Sequence, residues 1–297
     1  MNWQSTAARR TLFLLTGLLL LWTARADQPA AASSKEPVCG FTLNSHYLDS
    51  ASVTSGPVVQ MATVGSAQLS QPTVLRFLIY QKPDNAAIDN LQLEHEKYIH
   101  VVGVRDDLSV FFHIHPVKIA PGVWQVTNNF TEAGNYKIWA DVHYHDSSYA
   151  FAQPLLAIPG SLPASAPPIS PTNYALASGY QVTLKHTEPL LAGNAASLQF
   201  LIRDSHGREI VTENFLGAPM HLVIVKDDLS VYRHAHPEHQ ENPDPLVSFN
   251  QFFPDPGNYK LFAQFRPLGT SLPAEEAILA TFLIRVLPNS SNNSPAK

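Results

Sequence analysis

Six of the chain's 13 histidines fall into two copies of one pattern. The first copy runs His100, Asp106-Asp107-Leu108-Ser109, then His113-Ile114-His115-Pro116. The second runs His221, Asp227-Asp228-Leu229-Ser230, then His234-Ala235-His236-Pro237. Neutral imidazole is the common nitrogen ligand of protein metal sites. Three such nitrogens with a fourth position left open suit copper or zinc. The question is whether the chain brings each set of three together.

A hairpin would do so. The Asp-Asp-Leu-Ser string is turn chemistry between two apolar runs, and Asp tolerates the positive φ of tight turns. His113 and His115 are two residues apart, so they share one face of a strand. If Asp106-Asp107 is a two-residue loop, His100 lies opposite His113; with a four-residue loop it lies opposite His115. An odd-length loop would instead place Ile114 opposite His100. Directly opposed side chains have Cβ atoms about 4.5–5.5 Å apart, so either even register clusters three imidazoles. In the second copy His221 opposes His234 or His236 in the same way.

Val102, Val104 and Phe111 share that face in copy one, as do Val223, Val225 and Tyr232 in copy two. It reads as the inward face, with the histidines far from the turn and near the rim, where Pro116 and Pro237 end their strands. No carboxylate is placed on that face by spacing. Three imidazoles crowded against apolar surface resist protonation through desolvation and mutual repulsion, which keeps them competent as ligands. The duplicated aspartates read as turn residues, outside the ligand set.

The remaining histidines are less informative. His143-Tyr144-His145 follows Trp139 and Asp141 along one strand and makes an additional possible metal pair, lacking a counterpart in Gln264-Phe265-Arg266. His239 could extend the second cluster as His-x-His-Pro-x-x-His. His46, His95, His186 and His206 are isolated and read as structural or surface residues. Met220 precedes His221, so it points to the opposite strand face.

The elements that must position these residues come from a duplication. Residues 100–116 match 221–237 without a gap at an offset of 121, with 11 of 17 positions identical. Phe77-Leu78-Ile79 parallels Phe200-Leu201-Ile202, and Gly134-Asn135-Tyr136-Lys137 parallels Gly257-Asn258-Tyr259-Lys260. A period of this length is too long for a solenoid and marks a duplicated domain. Short runs rich in β-branched and aromatic residues, such as Thr73–Tyr80 and Met220–Lys226, predict strands. The expected fold is all-β: two tandem antiparallel sandwiches, immunoglobulin-like or cupredoxin-like, over residues 39–158 and 174–287. The glycine two residues before Tyr136 and Tyr259 is similar to the strand that carries the tyrosine corner of immunoglobulin-like domains. Residues 159–173 form a Pro-rich linker, and 288–297 a polar tail.

The first 26 residues carry the three parts of a secretory signal peptide: Arg9-Arg10, an apolar run from Leu12 to Trp22, and Ala24-Arg25-Ala26 before Asp27. The run is short of the roughly 20 residues that span a bilayer, which predicts cleavage near Ala26 and a periplasmic or secreted protein. Cleavage removes three arginines, so 19 basic residues become 16 against 24 acidic, a formal charge of −8. Such a chain is a poor partner for nucleic acid or an anionic membrane surface. Cys39 is the single cysteine, so no disulfide forms within the chain. It also lacks the histidine and methionine neighbours of a blue-copper loop.

The string His-x5-Asp-Asp-Leu-Ser-x3-His-x-His-Pro resembles a group of small secreted bacterial proteins described as heavy-metal- or copper-binding. The resemblance covers about 17 residues in each copy and the Gly-x-Tyr strand. It implies copper sequestration or delivery, with copper (or zinc as the alternative) held by His100, His113 and His115 and by His221, His234 and His236. For a protein that passes copper on, the expected partner beside the metal ion is another periplasmic metal-handling protein. Two other classes stay open from the residues. One is a structural or adhesive pair of sandwiches with incidental histidines. The other is a zinc- or copper-dependent enzyme using the open coordination position, although no nucleophile or catalytic carboxylate is placed beside the clusters.

Overall fold

A computed structural model describes residues 45–162, 170–237 and 244–289, and within them the chain is all-β. The segment 1–26, Cys39 and His239 lie outside the described residues. The first repeat contains β1 (Ser45–Asp49), β2 (Gly56–Val64), β3 (Pro72–Lys82), β4 (Ala86–Ala87), β5 (Ile99–Arg105) and β6 (Phe111–Ile114). It continues with β7 (Val117–Ala120), β8 (Val123–Asn129), β9 (Gly134–Tyr144), β10 (Ser147–Ala152) and β11 (Leu156–Ile158). The second repeat contains β12 (Tyr174–Ala177), β13 (Tyr180–His186), β14 (Ala195–Arg203), β15 (Thr212–Glu213) and β16 (Met220–Lys226). It ends with β17 (Tyr232–Ala235), β18 (Leu246–Phe252), β19 (Gly257–Pro267) and β20 (Ile278–Val286).

Each repeat is a two-sheet sandwich. In the first, the sheet β1-β10-β9-β5-β6 faces the sheet β2-β3-β8-β7, and Phe77, Ile79, Val101, Ile138 and Phe151 pack between them. In the second, β15-β19-β16-β17, with β20 on β19, faces β12-β13-β14-β18 over Leu184, Phe200, Leu222, Leu261 and Phe282. Among the described strands, pairing is antiparallel except for β1 on β10. The β-branched and aromatic run Ala150–Ile158 is not one strand but is split by Gln153-Pro154-Leu155. The fully buried Gln153 side chain bonds Ser50 Oγ (2.8 Å), the Val59 carbonyl (3.0 Å) and the Met61 amide (2.9 Å), tying one sheet to the other.

The tyrosine corner is present twice. Tyr136 Oη donates to the Glu132 carbonyl at 2.8 Å and Tyr259 Oη to the Asp255 carbonyl at 2.7 Å. That contact, and the pairing of the corner strand with the histidine hairpin, is the immunoglobulin-like arrangement. The glycines two residues earlier are required. Gly134 and Gly257 have φ of 139° and 146°, and a Cβ on either would stand 2.8 Å from the Arg105 or Lys226 stem.

The hairpin takes the longer of the two even registers: Val102 pairs with His113 and Val101 with Ile114, with Asp106-Asp107-Leu108-Ser109 as the loop. The positive φ falls on Leu108 (60°) and Leu229 (63°) and not on the aspartates. Asp107 instead accepts from the Ser109 amide (3.0 Å) and hydroxyl (2.7 Å) and pairs with buried Arg105 at 2.6 Å. Asp228 accepts from the Ser230 amide at 3.0 Å and binds Lys226 at 2.6 Å. The side-chain turn thus closes the loop, and a leucine absorbs the backbone strain.

The face expected to point inward is not the sandwich interior. Val102, Val104 and Trp139 of the first repeat pack against Val223, Val225, Tyr232 and Phe262 of the second, forming a third core between the repeats. The sandwich interior takes the alternate residues, Ile99, Val101 and Ile138. Strand alternation identifies which residues share a face, but both faces of β5 and β16 are covered. The interface is an internal near-two-fold. Phe111 stacks on Phe262 (4.6 Å, 14°), and its counterpart Tyr232 stacks on Trp139, the counterpart of Phe262 (4.5 Å, 7°). Self-complementary contact of this kind is what a two-fold dimer uses, here within one chain.

Candidate metal centre

The hairpin register and the near-two-fold bring all six motif histidines into one buried cluster. In the first repeat His100 Nδ1 stands 3.0 Å from His113 Nε2, which stands 3.3 Å from His115 Nε2. In the second, His221 Nδ1 stands 3.2 Å from His234 Nε2 and 3.1 Å from His236 Nε2. The same three atom types converge in both. The two triads adjoin: ring centroids of His113 and His234 are 4.8 Å apart, and those of His100 and His221 are 6.1 Å apart. Ligand atoms of His113, His221 and His234 also lie within 4.8 Å of one another, so the cluster is continuous across the repeats.

The outward nitrogens define the tautomers. His100 Nε2 donates to the Glu94 carbonyl at 2.8 Å, and His221 Nε2 to the equivalent Phe215 carbonyl at 2.8 Å. His113 Nδ1 donates to Gln264 Oε1 at 2.8 Å, and His234 Nδ1 to Asp141 Oδ2 at 3.0 Å. In a neutral imidazole only one nitrogen carries hydrogen. Burial keeps His100, His113 and His221 neutral, so their inward nitrogens are bare lone pairs turned into the cluster. Such an array is repulsive unless an electropositive atom sits among them. Nitrogen ligands at about 2.0–2.1 Å from a tetrahedral ion are themselves about 3.3 Å apart, close to the spacings here. The residues fit a metal ion, and the histidine clusters could hold one.

Burial reinforces this. His100 and His221 are 2% and 0% exposed. Desolvation, with mutual repulsion second, holds His100, His113, His221 and His236 well below the ordinary imidazole range, and His115 down to about 2. These rings stay neutral and available as ligands across the physiological range.

Three contributors escaped the sequence reading. Asp141 and Gln264 occupy equivalent positions on β9 and β19, as the cross-strand partners of His100 and His221. Each reaches over to a histidine of the other repeat, so a carboxylate does lie at the cluster. A register for β5 on β9 would have placed Asp141 beside His100, but not beside His234. The third is His95, expected to be structural or superficial. It stacks on His236 with centroids 3.4 Å apart, and burial lowers it to about 4. His143 and His145 do not come to the triads. His143 Nδ1 contacts Ser148 Oγ at 3.1 Å, and His145 sits in a turn at φ 48°, packed on Tyr144. The turn breaks the alternation that would have put both on one face. Among the described residues neither belongs to a group able to share an ion.

No curated protein matches the chain. Solved structures similar to it include the native conformation of E. coli alpha-2-macroglobulin, at 10% identity over 78% of this chain and 17% of that one, with a TM-score of 0.28. Invasin, a bacterial integrin-binding protein, matches at 11% identity over 78% of this chain and 40% of that one, with a TM-score of 0.23. The chain spans well under two thirds of either, and likeness at that level says nothing of what it does. One family model matches twice, over residues 52–155 and 175–281, once on each sandwich and over more than half of the chain. The chain belongs to the family defined by the domain of unknown function DUF8832.

Proposed function

We propose that this chain is an exported metal-binding protein that sequesters copper or passes it to another metal-handling protein of the same compartment. The observation that carries the reading is the convergence of three imidazole nitrogens per repeat, each ring oriented or buried by the fold. Imidazole-only ligation with an open position suits copper and zinc and leaves room for a transfer partner's ligand. Copper is favoured over zinc by the resemblance of the hairpin string to secreted copper-binding proteins. The signal-like segment before Asp27 supports export to the periplasm or beyond.

The test compares the chain with its His113→Ala/His115→Ala/His234→Ala/His236→Ala variant. Copper and zinc are titrated into each, and bound metal and melting temperature are followed. Tight binding of about two ions per chain with a rise in melting temperature, both lost in the variant, is the expected result. Equal binding by the two proteins would remove the histidines from the function.

A further inference from the structure

The two triads are built alike but are not backed alike. His113 gives its outer N–H to the neutral carboxamide of Gln264, whereas His234 gives its own to the carboxylate of Asp141. The difference is supported by a second one at an equivalent pair of positions. Tyr232 Oη donates to the same Asp141 oxygen at 2.6 Å, and its counterpart in the first repeat, Phe111, has no hydroxyl to give. The carboxylate and the group that holds it are thus present together at one end of the near-two-fold and missing together at the other. Asp141 Oδ1 is buried and has no hydrogen-bond partner. A carboxylate left half-satisfied in a low-dielectric site calls for compensating positive charge close by.

Resting on the metal-binding reading above, we propose that the chain carries two unequal metal sites at one interface. The site of His221, His234 and His236, backed by Asp141, is the tighter and the more selective for a dication. The site of His100, His113 and His115, backed by Gln264, is the weaker. A carboxylate behind a ligating imidazole raises its basicity, and loss of such a partner costs typically 10–100-fold in affinity. A negative charge close behind the ligand also favours a doubly charged ion over a singly charged one. Asp141 acts through His234, as a positioning and charge-supplying residue.

The experiment titrates Zn(II), and separately Cu(I) under anaerobic conditions, into the full chain against a chromophoric competing chelator. Three proteins are compared: wild type, Asp141→Asn and Gln264→Glu, the last two being near-isosteric exchanges. Wild type should fill in two Zn(II) steps. Asp141→Asn should weaken the tighter step about 10–100-fold, bringing it near the other, with a smaller loss for Cu(I). Gln264→Glu should strengthen the weaker step. Two equal Zn(II) steps in wild type or an unchanged tight step in Asp141→Asn would overturn the inequality, and equal losses for both metals would overturn the preference for a dication. Failure of wild type to bind either metal would overturn the metal reading itself, and this inference with it.

Discussion

Asp141 and His234 lie 93 residues apart on different sandwiches, and their side chains meet at 3.0 Å. That contact makes the candidate metal centre a property of the paired repeats. Each triad is presented by one hairpin, but its supporting acceptor comes from the other repeat's corner strand. The repeats are held in that relation by the core around Val102, Val104, Val223 and Val225 and by the two aromatic stacks at its flanks. The interface and the site should therefore fail together.

Phe262→Ala tests that link. Phe262 is 1% exposed and stacked on Phe111, so its truncation should cost about 3–5 kcal/mol. Metal affinity should fall with it, although no ligand is touched. Thermal melting and a zinc titration on the same preparation check this, and unaltered affinity in a destabilised variant would detach the site from the interface.

The buried imidazoles set a direction for acid sensitivity in the metal-free protein. His100, His113, His115, His221 and His236 are depressed in the folded chain, chiefly by desolvation, while the unfolded chain binds protons near pH 6.5. Below that pH the unfolded state holds more protons, so stability falls as pH falls toward the folded values and is flat above about pH 7. Melting temperature of chelator-treated protein between pH 8 and 4 should show this decline. It should be shallower in the His113→Ala/His115→Ala/His234→Ala/His236→Ala variant; a wild-type profile as flat as the variant's would contradict the burial.

How much of this the residues disclosed depends on the range of the interaction. The hairpin, its even register and the clustering of His100 with His113 and His115 follow from strand alternation and loop parity, both local. The tyrosine corners were visible in Gly134-Asn135-Tyr136 and Gly257-Asn258-Tyr259. What covers the histidine face was not, because alternation groups residues by face without saying what packs on it. Val102 and Val104 look the same whether they meet their own second sheet or another domain. Asp141, Gln264 and His95 act across that interface, so no spacing within either repeat pointed to their roles. The turn strain was misplaced onto aspartate, since Asp107 is occupied by Arg105 and Ser109 and the chain turns at Leu108.

Gly134→Ala should destabilise the first sandwich. Its φ of 139° lies outside the usual range for L-residues, and an added Cβ would meet the Arg105 side chain at 2.8 Å. Strain of this kind costs about 1–3 kcal/mol before any clash. Differential scanning calorimetry should show a lowered transition, and an unchanged one would mean that Arg105 and the corner yield without cost.

His143→Ala/His145→Ala should leave metal stoichiometry and affinity unchanged. His143 is engaged with Ser148, and His145 is turned onto Tyr144. Loss of a bound equivalent in this variant would show a further site on β9.

The central claim is that imidazole nitrogens of the two hairpins are the metal ligands. X-ray absorption spectroscopy of the metal-bound full chain addresses it directly. The expected spectrum has a nitrogen shell at about 2.0 Å with the outer scattering of three imidazoles, and it disappears in the four-histidine variant. A shell dominated by oxygen or sulfur, or an imidazole pattern that persists in the variant, would place the metal elsewhere and contradict the account.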